Sequence, residues 1–198
     1  MQTINALPDK KITDAGVVSK IFLIQGVATF QEACRRVHRL PYGYNADRDD
    51  LFALFQEGKG TCTSKHAVIA TLARELALPV EKHIGIYAMT EALVTGTQTI
   101  INRYQLPYLP MVHCFLQADT IRVDLTAGNR NGKNGPIKEF LFTMPVAPNI
   151  SGKEEYLLYR KALKEVILLK SEFSNIDINT VLKARQEGLE QLKANIGD

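Results

Sequence analysis

Cys62 follows Gly58-Lys59-Gly60-Thr61 and opens a stretch to Ala77 whose interior, Ala67-Val68-Ile69-Ala70-Thr71-Leu72-Ala73, is apolar almost all round. Two glycines break the preceding element, Thr61 is a ready N-cap, and Pro79 bars any continuation, so a buried helix is predicted over Cys62–Ala77. A helix N-terminus carries partial positive charge and N–H groups without an intrahelical partner. A thiol there is expected to ionise more easily than a free one, and the same N–H groups can hold an oxyanion. A second signal is the hairpin Val112–Leu125. With a two-residue turn at Ala118-Asp119, Gln117 faces Thr120, Phe115 faces Arg122 and His113 faces Asp124. Opposed Cβ atoms are then about 4.5–5.5 Å apart, within reach of an imidazole–carboxylate bond. Thiol, imidazole and carboxylate form the nucleophile, base and orienting group of acyl transfer. His113 would take the thiol proton and return it to the leaving amine, while Asp124 fixes the tautomer of His113. The plainer readings are a small apolar residue packed at a helix start and a surface hydrogen bond across a hairpin.

Other residues frame this set. His66 lies four positions after Cys62 on the same helix face and leans back toward it, as an aid to the thiolate or as a core or rim histidine. Tyr42, Tyr44, Asp47 and Arg48 precede the nucleophile in a polar loop; they line a substrate groove, or Asp47 caps the next helix. Arg130 and Lys133 come after Asp124 on a loop that gates the site or is ordinary surface. Cys62, His66, His113 and Cys114 include zinc-ligand types, but no Cys-x-x-Cys pair exists and Cys114 should face away from His113, so no metal is expected. His38 and His83 show no partner.

The positioning elements can be read from pattern and punctuation. Helices are predicted over Phe30–Leu40, around Leu51, Leu54 and Phe55, over Thr97–Tyr104, and, amphipathically, over Glu154–Phe173 and Thr180–Ile196. Strands are predicted over Val80–Met89, Val112–Gln117 and Ile121–Leu125, with a polar loop from Gly128 to Pro136. Helices on both sides of a few antiparallel strands make an α+β class. The 198 residues suit a single domain over 1–198, and 45% hydrophobic against 23% charged residues disfavours disorder and coiled coil. A net charge of +3 calls for neither a nucleic acid nor an anionic membrane. Runs such as Ile21–Ile24 and Ala67–Ala70 are far too short to span a bilayer. The start, Met1-Gln2-Thr3-Ile4-Asn5, lacks the zones of an export signal, and the odd set Cys34, Cys62 and Cys114 reads as free thiols in a cytoplasmic setting.

Taken together, these residues resemble a family. Gly60-Thr61-Cys62-Thr63-Ser64-Lys65-His66-Ala67 opening a helix, a strand at Ile84-Gly85-Ile86-Tyr87, His113 on a strand and then Val123-Asp124-Leu125-Thr126 look like the transglutaminase-like superfamily. His113-Cys114-Phe115 is similar to its His-x-Trp, with Phe115 at the aromatic position, and Leu125 replaces the proline of its Asp-Pro-Thr ending. Leu40-Pro41-Tyr42-Gly43 and the loop after it look closer to a little-characterised bacterial branch. The resemblance spans Phe30 to Ala127. It implies a papain/transglutaminase-like core, with the helix carrying the cysteine packed on an antiparallel sheet and extra C-terminal helices. It implies a Cys62–His113–Asp124 triad, and Gln56, six residues before Cys62, stands where papain-like proteases place an oxyanion glutamine. The expected activity is thiol-dependent acyl transfer on an amide in a peptide, protein or small molecule, without metal or organic cofactor. Hydrolysis of a peptide or isopeptide bond comes first, because water needs no second binding site. Transfer to an amine comes second, and an arylamine N-acetyltransferase third. The reading from another class is a non-catalytic binding domain that keeps the fold.

Overall fold

Thr29 and Glu32 open the most clearly marked helix: the Thr29 hydroxyl accepts from the Glu32 N–H at 3.3 Å, and the Glu32 carboxylate reaches back to the N–H groups of Ala28 and Thr29. This reciprocal cap starts α2 (Phe30–Arg39). The computed structural model describes residues 4–196; the polar reading of Met1, Gln2 and Thr3 concerns residues outside it. Around α2 stand α1 (Val17–Ile24), α3 (Ala53–Glu57) and α4 (Cys62–Glu75), then come β1 (Glu81–Met89), α5 (Thr97–Tyr104), β2 (Leu109–Ala118), β3 (Ile121–Val123), β4 (Phe142–Val146), α6 (Gly152–Ala162) and α7 (Ile178–Ala194). The class is α+β, with one four-stranded antiparallel sheet in the order β3-β2-β1-β4.

The chain divides into two compact units, each assembled from separated segments. The first takes the chain up to Ile84 with Cys114–Asn129 and Pro145–Ser151. In it α4 packs against α1, α2 and α3. Its Val68, Ile69 and Leu72 share a core with Phe22, Phe30 and Leu54 and with Leu116, Val123 and Leu125 of the hairpin. Every residue from Ala67 to Ala73 is buried, as the apolar run predicts, and so are Ser64, Lys65 and His66 ahead of it. The second unit takes Gly85–His113, Arg130–Met144 and the chain from Gly152 onward. Its core gathers Ile86, Tyr87, Met89, Leu109 and Met111 with Tyr159, Leu163, Val181 and Ala184.

Several boundaries differ from the sequence expectation, each for a local reason. Helix α4 ends at Glu75 rather than Ala77, because Ala77 takes a left-handed φ of 51° just ahead of Pro79. Strand β3 stops at Val123 because the Asp124 carboxylate takes both the N–H and the hydroxyl of Thr126, each at 2.7 Å, and bends the chain into a turn. The long helix expected over Glu154–Phe173 ends as α6 at Ala162, widens into a π-helical turn at Leu163–Ile167 and resumes only as a short 3-10 turn at Ser171–Phe173. Val166-Ile167-Leu168-Leu169 offers more consecutive apolar residues than one helix face can bury, and Leu169 is left 75% exposed. Helix α7 begins two residues early because Asp177 caps it, accepting from the Asn179 N–H at 2.9 Å.

The hairpin register also differs. Ala118 pairs with Ile121, Gln117 with Arg122 and Leu116 with Val123. The two turn residues are therefore Asp119 and Thr120, not Ala118 and Asp119. Asp119 has a φ of 51°, a left-handed angle that Asp tolerates better than Ala. The expected face-to-face pairing of His113 with Asp124 does not occur: the ladder ends at Leu116 and Val123, and Asp124 lies beyond it. Arg122 stacks its guanidinium 4.7 Å from the centre of the Phe115 ring as a diagonal neighbour, not an opposite one.

Candidate functional site

Three short segments of the first unit fix the start of α4. The Gly60 N–H donates to the Pro41 carbonyl at 3.2 Å, and Tyr42 bridges to Gly60, so the Pro41–Gly43 loop lies alongside the residues before the helix. Ser64 Oγ accepts the Thr61 N–H at 3.1 Å and donates to Asn45 Oδ1 at 2.8 Å; Asn45 in turn donates to the Lys59 carbonyl at 3.1 Å. The helix start is thereby held on both sides.

Cys62 is the first residue of α4 and is half-buried, whereas Cys34 and Cys114 are buried; all three are free thiols. Burial pushes the Cys34 thiol far above its ordinary range. Cys114 is packed in the core with its Sγ 3.9 Å from Thr63 Oγ1. Of the three, Cys62 alone combines a helix N-terminus with access from solvent.

His66 is wholly buried, and both ring nitrogens are committed. Nε2 lies 2.9 Å from the Leu125 N–H, which can only donate, so Nε2 holds the lone pair. The proton therefore sits on Nδ1 and is donated to the Cys62 carbonyl at 2.6 Å. His66 is a neutral imidazole aimed at the backbone of Cys62. Asp124 Oδ1 lies 3.7 Å from His66 Nε2, too far for a hydrogen bond.

Lys65 adds a charge that the pattern reading did not single out. Its side chain is wholly buried, and its ammonium donates to the carbonyls of His38, at 3.3 Å, and Leu40, at the C-terminal end of α2. That end of a helix carries partial negative charge. Burial lowers the Lys65 pKa to about 8, against the opposing pull of Asp124. Asn129 donates to the same two carbonyls, and His38 Nδ1 lies 3.1 Å from the Leu125 carbonyl. A buried polar network thus ties α2, α4 and the Asp124–Asn129 segment together. Lys82 is a second buried cation that the pattern did not reveal. It stands on the β1 face shared by Ile84 and Ile86, is 1% exposed, and donates to the carbonyls of Thr63 and Pro148 at 3.1 Å each. A lysine interrupting an apolar series at core parity is the signal that could have found it.

The remaining expected residues are spread more widely. His113, in the second unit, is 2% exposed on β2, with the Tyr87 ring edge-on at 6.4 Å. Gln56 is exposed at the end of α3. Tyr42 and Arg48 are half-buried and Tyr44 is exposed, while Asp47 accepts from the Asp49 N–H at 2.8 Å; it closes a local turn rather than capping α3. Arg130 and Lys133 line a hollow of about 570 Å³ in the second unit with Thr95 and Asn195. His83, half-buried, stacks 5.6 Å from the Phe115 ring and approaches Glu81; burial lowers its pKa against the pull of that carboxylate. Among the described residues no group of three or more His, Cys, Asp or Glu side chains is arranged to hold a metal ion, and no helix is long and apolar enough to cross a membrane.

Comparison with known proteins adds no relative: no family model, no curated protein and no solved structure matches this chain.

Proposed function

We propose that the chain is a thiol-dependent acyl-transfer enzyme acting on an amide, built on a papain/transglutaminase-like core. Cys62 is the nucleophile, His113 the base and Asp124 the group that orients the base. Hydrolysis of a peptide or isopeptide bond is the first reading, since water requires no acceptor site. The observation that carries it is Cys62 itself, the sole thiol outside the core, placed as the first residue of a buried fourteen-residue helix. A thiolate there is favoured by the helix dipole, and the first N–H groups of α4 can receive the oxyanion of a tetrahedral intermediate. His66 is the nearest histidine in sequence, but its lone pair accepts the Leu125 N–H and its proton is on the Cys62 carbonyl. It has nothing with which to take the thiol proton, and the proposal gives that task to His113, the histidine of the family-like motif. Asp124 is held by two bonds from Thr126, which suits a carboxylate that must orient a neighbour.

Iodoacetamide labelling across pH, read residue by residue by mass spectrometry, tests this. Cys62 should react first, with a midpoint well below the ordinary thiol value of about 8.5, while Cys34 and Cys114 stay protected in the folded protein. On any amide that is turned over, Cys62→Ser should lose activity on the order of 10⁴-fold or more. A Cys62 that titrates as an ordinary thiol, or a fully active Cys62→Ser protein, removes the mechanism.

A further inference from the structure

His66 contributes no proton transfer in this reading, yet it is wholly buried and bonded at both ends. We propose that His66 is a positioning residue, a clasp that joins the backbone of Cys62 to the backbone of Leu125 and so sets Asp124 relative to the helix start that bears the nucleophile. This role rests on the reading of Cys62 and Asp124 as nucleophile and orienting group.

The ring touches two backbone groups. One is the carbonyl of Cys62; the other is the N–H of the residue next to Asp124. A carbonyl has two lone pairs, so the Cys62 oxygen can take the imidazole proton and still serve its helix. The Leu125 N–H lies past the end of β3 and has no ladder partner there, since the ladder stops at Val123. Without His66 the Leu125 N–H would lose its partner, and the Cys62 carbonyl would keep only its helix bond, at the point where the Asp124 turn meets α4. The ring is rigid, so the separation of its two nitrogens fixes the separation of the two backbones. Lys65, on the same helix, pulls on Asp124 electrostatically, and Thr126 holds the carboxylate from the other side. His66 is thus the neutral spacer of a seat whose charges are Lys65 and Asp124.

The tautomer gives a test on the unaltered protein. Nitrogen NMR of the histidine rings at pH 7 should find His66 neutral and protonated on Nδ1; a ring protonated on Nε2, or on both nitrogens, overturns the clasp. Two variants then separate positioning from simple packing. His66→Phe keeps the bulk and loses both bonds. His66→Gln carries one donor and one acceptor and should restore them in part. At pH 7 and at a temperature where each variant is folded by circular dichroism, Cys62 in His66→Phe should alkylate on the order of tenfold more slowly than in the parent, the scale of one lost hydrogen bond. His66→Gln should recover most of that rate. A folded His66→Phe with an unmoved Cys62 rate and pH midpoint, whatever its melting temperature, reduces His66 to packing and overturns the positioning role alone. A parent protein whose Cys62 reacts as an ordinary thiol instead overturns the proposed function, and with it any need for a positioner.

Discussion

Lys65 shows how strongly the fold acts on one side chain. An ammonium taken into the protein loses its water, and two carbonyls at the end of α2 compensate only in part, so its pKa falls from 10.5 to about 8 although Asp124 pulls the other way. That direction sets the sign of the pH dependence. Below pH 8 the residue is protonated in both folded and unfolded chains and adds no slope. Between about pH 8 and 10.5 the unfolded chain binds the proton that the folded one has released, so Lys65 makes stability rise with pH in that window. Urea melts of the parent and of Lys65→Met across pH 7–11 should therefore diverge, with the variant lacking that rise. Parallel curves would mean that the ammonium is solvated in the folded protein. Lys65 was legible in the sequence only as part of a motif; nothing in its spacing distinguishes a buried lysine from one on a solvated helix face.

At the scale of elements, the start of α4 depends on close approach. A Cβ added at Gly60 would come within 2.7 Å of Ser64 Oγ and 3.0 Å of Leu54 Cδ1. Ser64 Oγ is the atom that holds both Thr61 and Asn45, so Gly60→Ala should displace the helix start and cost about 1–3 kcal/mol, measured by denaturant melts. A cost below about 0.5 kcal/mol would show that this start is looser than its contacts imply. Elements with local signals were readable: the Thr29–Glu32 cap marks α2, two glycines and Pro79 bracket α4, and α5 runs over the expected Thr97–Tyr104. Elements stabilised from a distance were not. Helix α1 begins after Gly16, which has no capping side chain, and its Val18 and Ser19 N–H groups are taken by the Glu75 carboxylate from the far end of α4. Strand β4 contains Pro145, which argues against a strand until the sheet order makes it an edge, where a missing N–H costs little. The same limit applied to the site. Cys62 stood out by its local setting, whereas the hairpin register turned on which residue could adopt a left-handed angle, and the clasp joins residues 59 positions apart.

For the whole molecule, the two cores are distinct sets of side chains. Leu72 is buried in the first and Leu163 in the second. Truncating either to Ala should cost about 2–5 kcal/mol, with the denaturant midpoint as the readout. A near-neutral result at either position would mean that the corresponding core is not close-packed. Neither unit is a continuous stretch of chain. The backbone leaves the first unit after Ile84, returns at Cys114, leaves again after Asn129 and comes back once more for Pro145–Ser151. During synthesis, a chain that has emerged from the ribosome as far as His113 has α4 and its cysteine but lacks the Leu116, Val123 and Leu125 that complete their core. The usual order, in which an N-terminal domain folds while the next is being translated, is not open to such a chain. The part of α4's apolar surface that Leu116, Val123 and Leu125 cover must wait, exposed or guarded by a chaperone, until translation has passed residue 125.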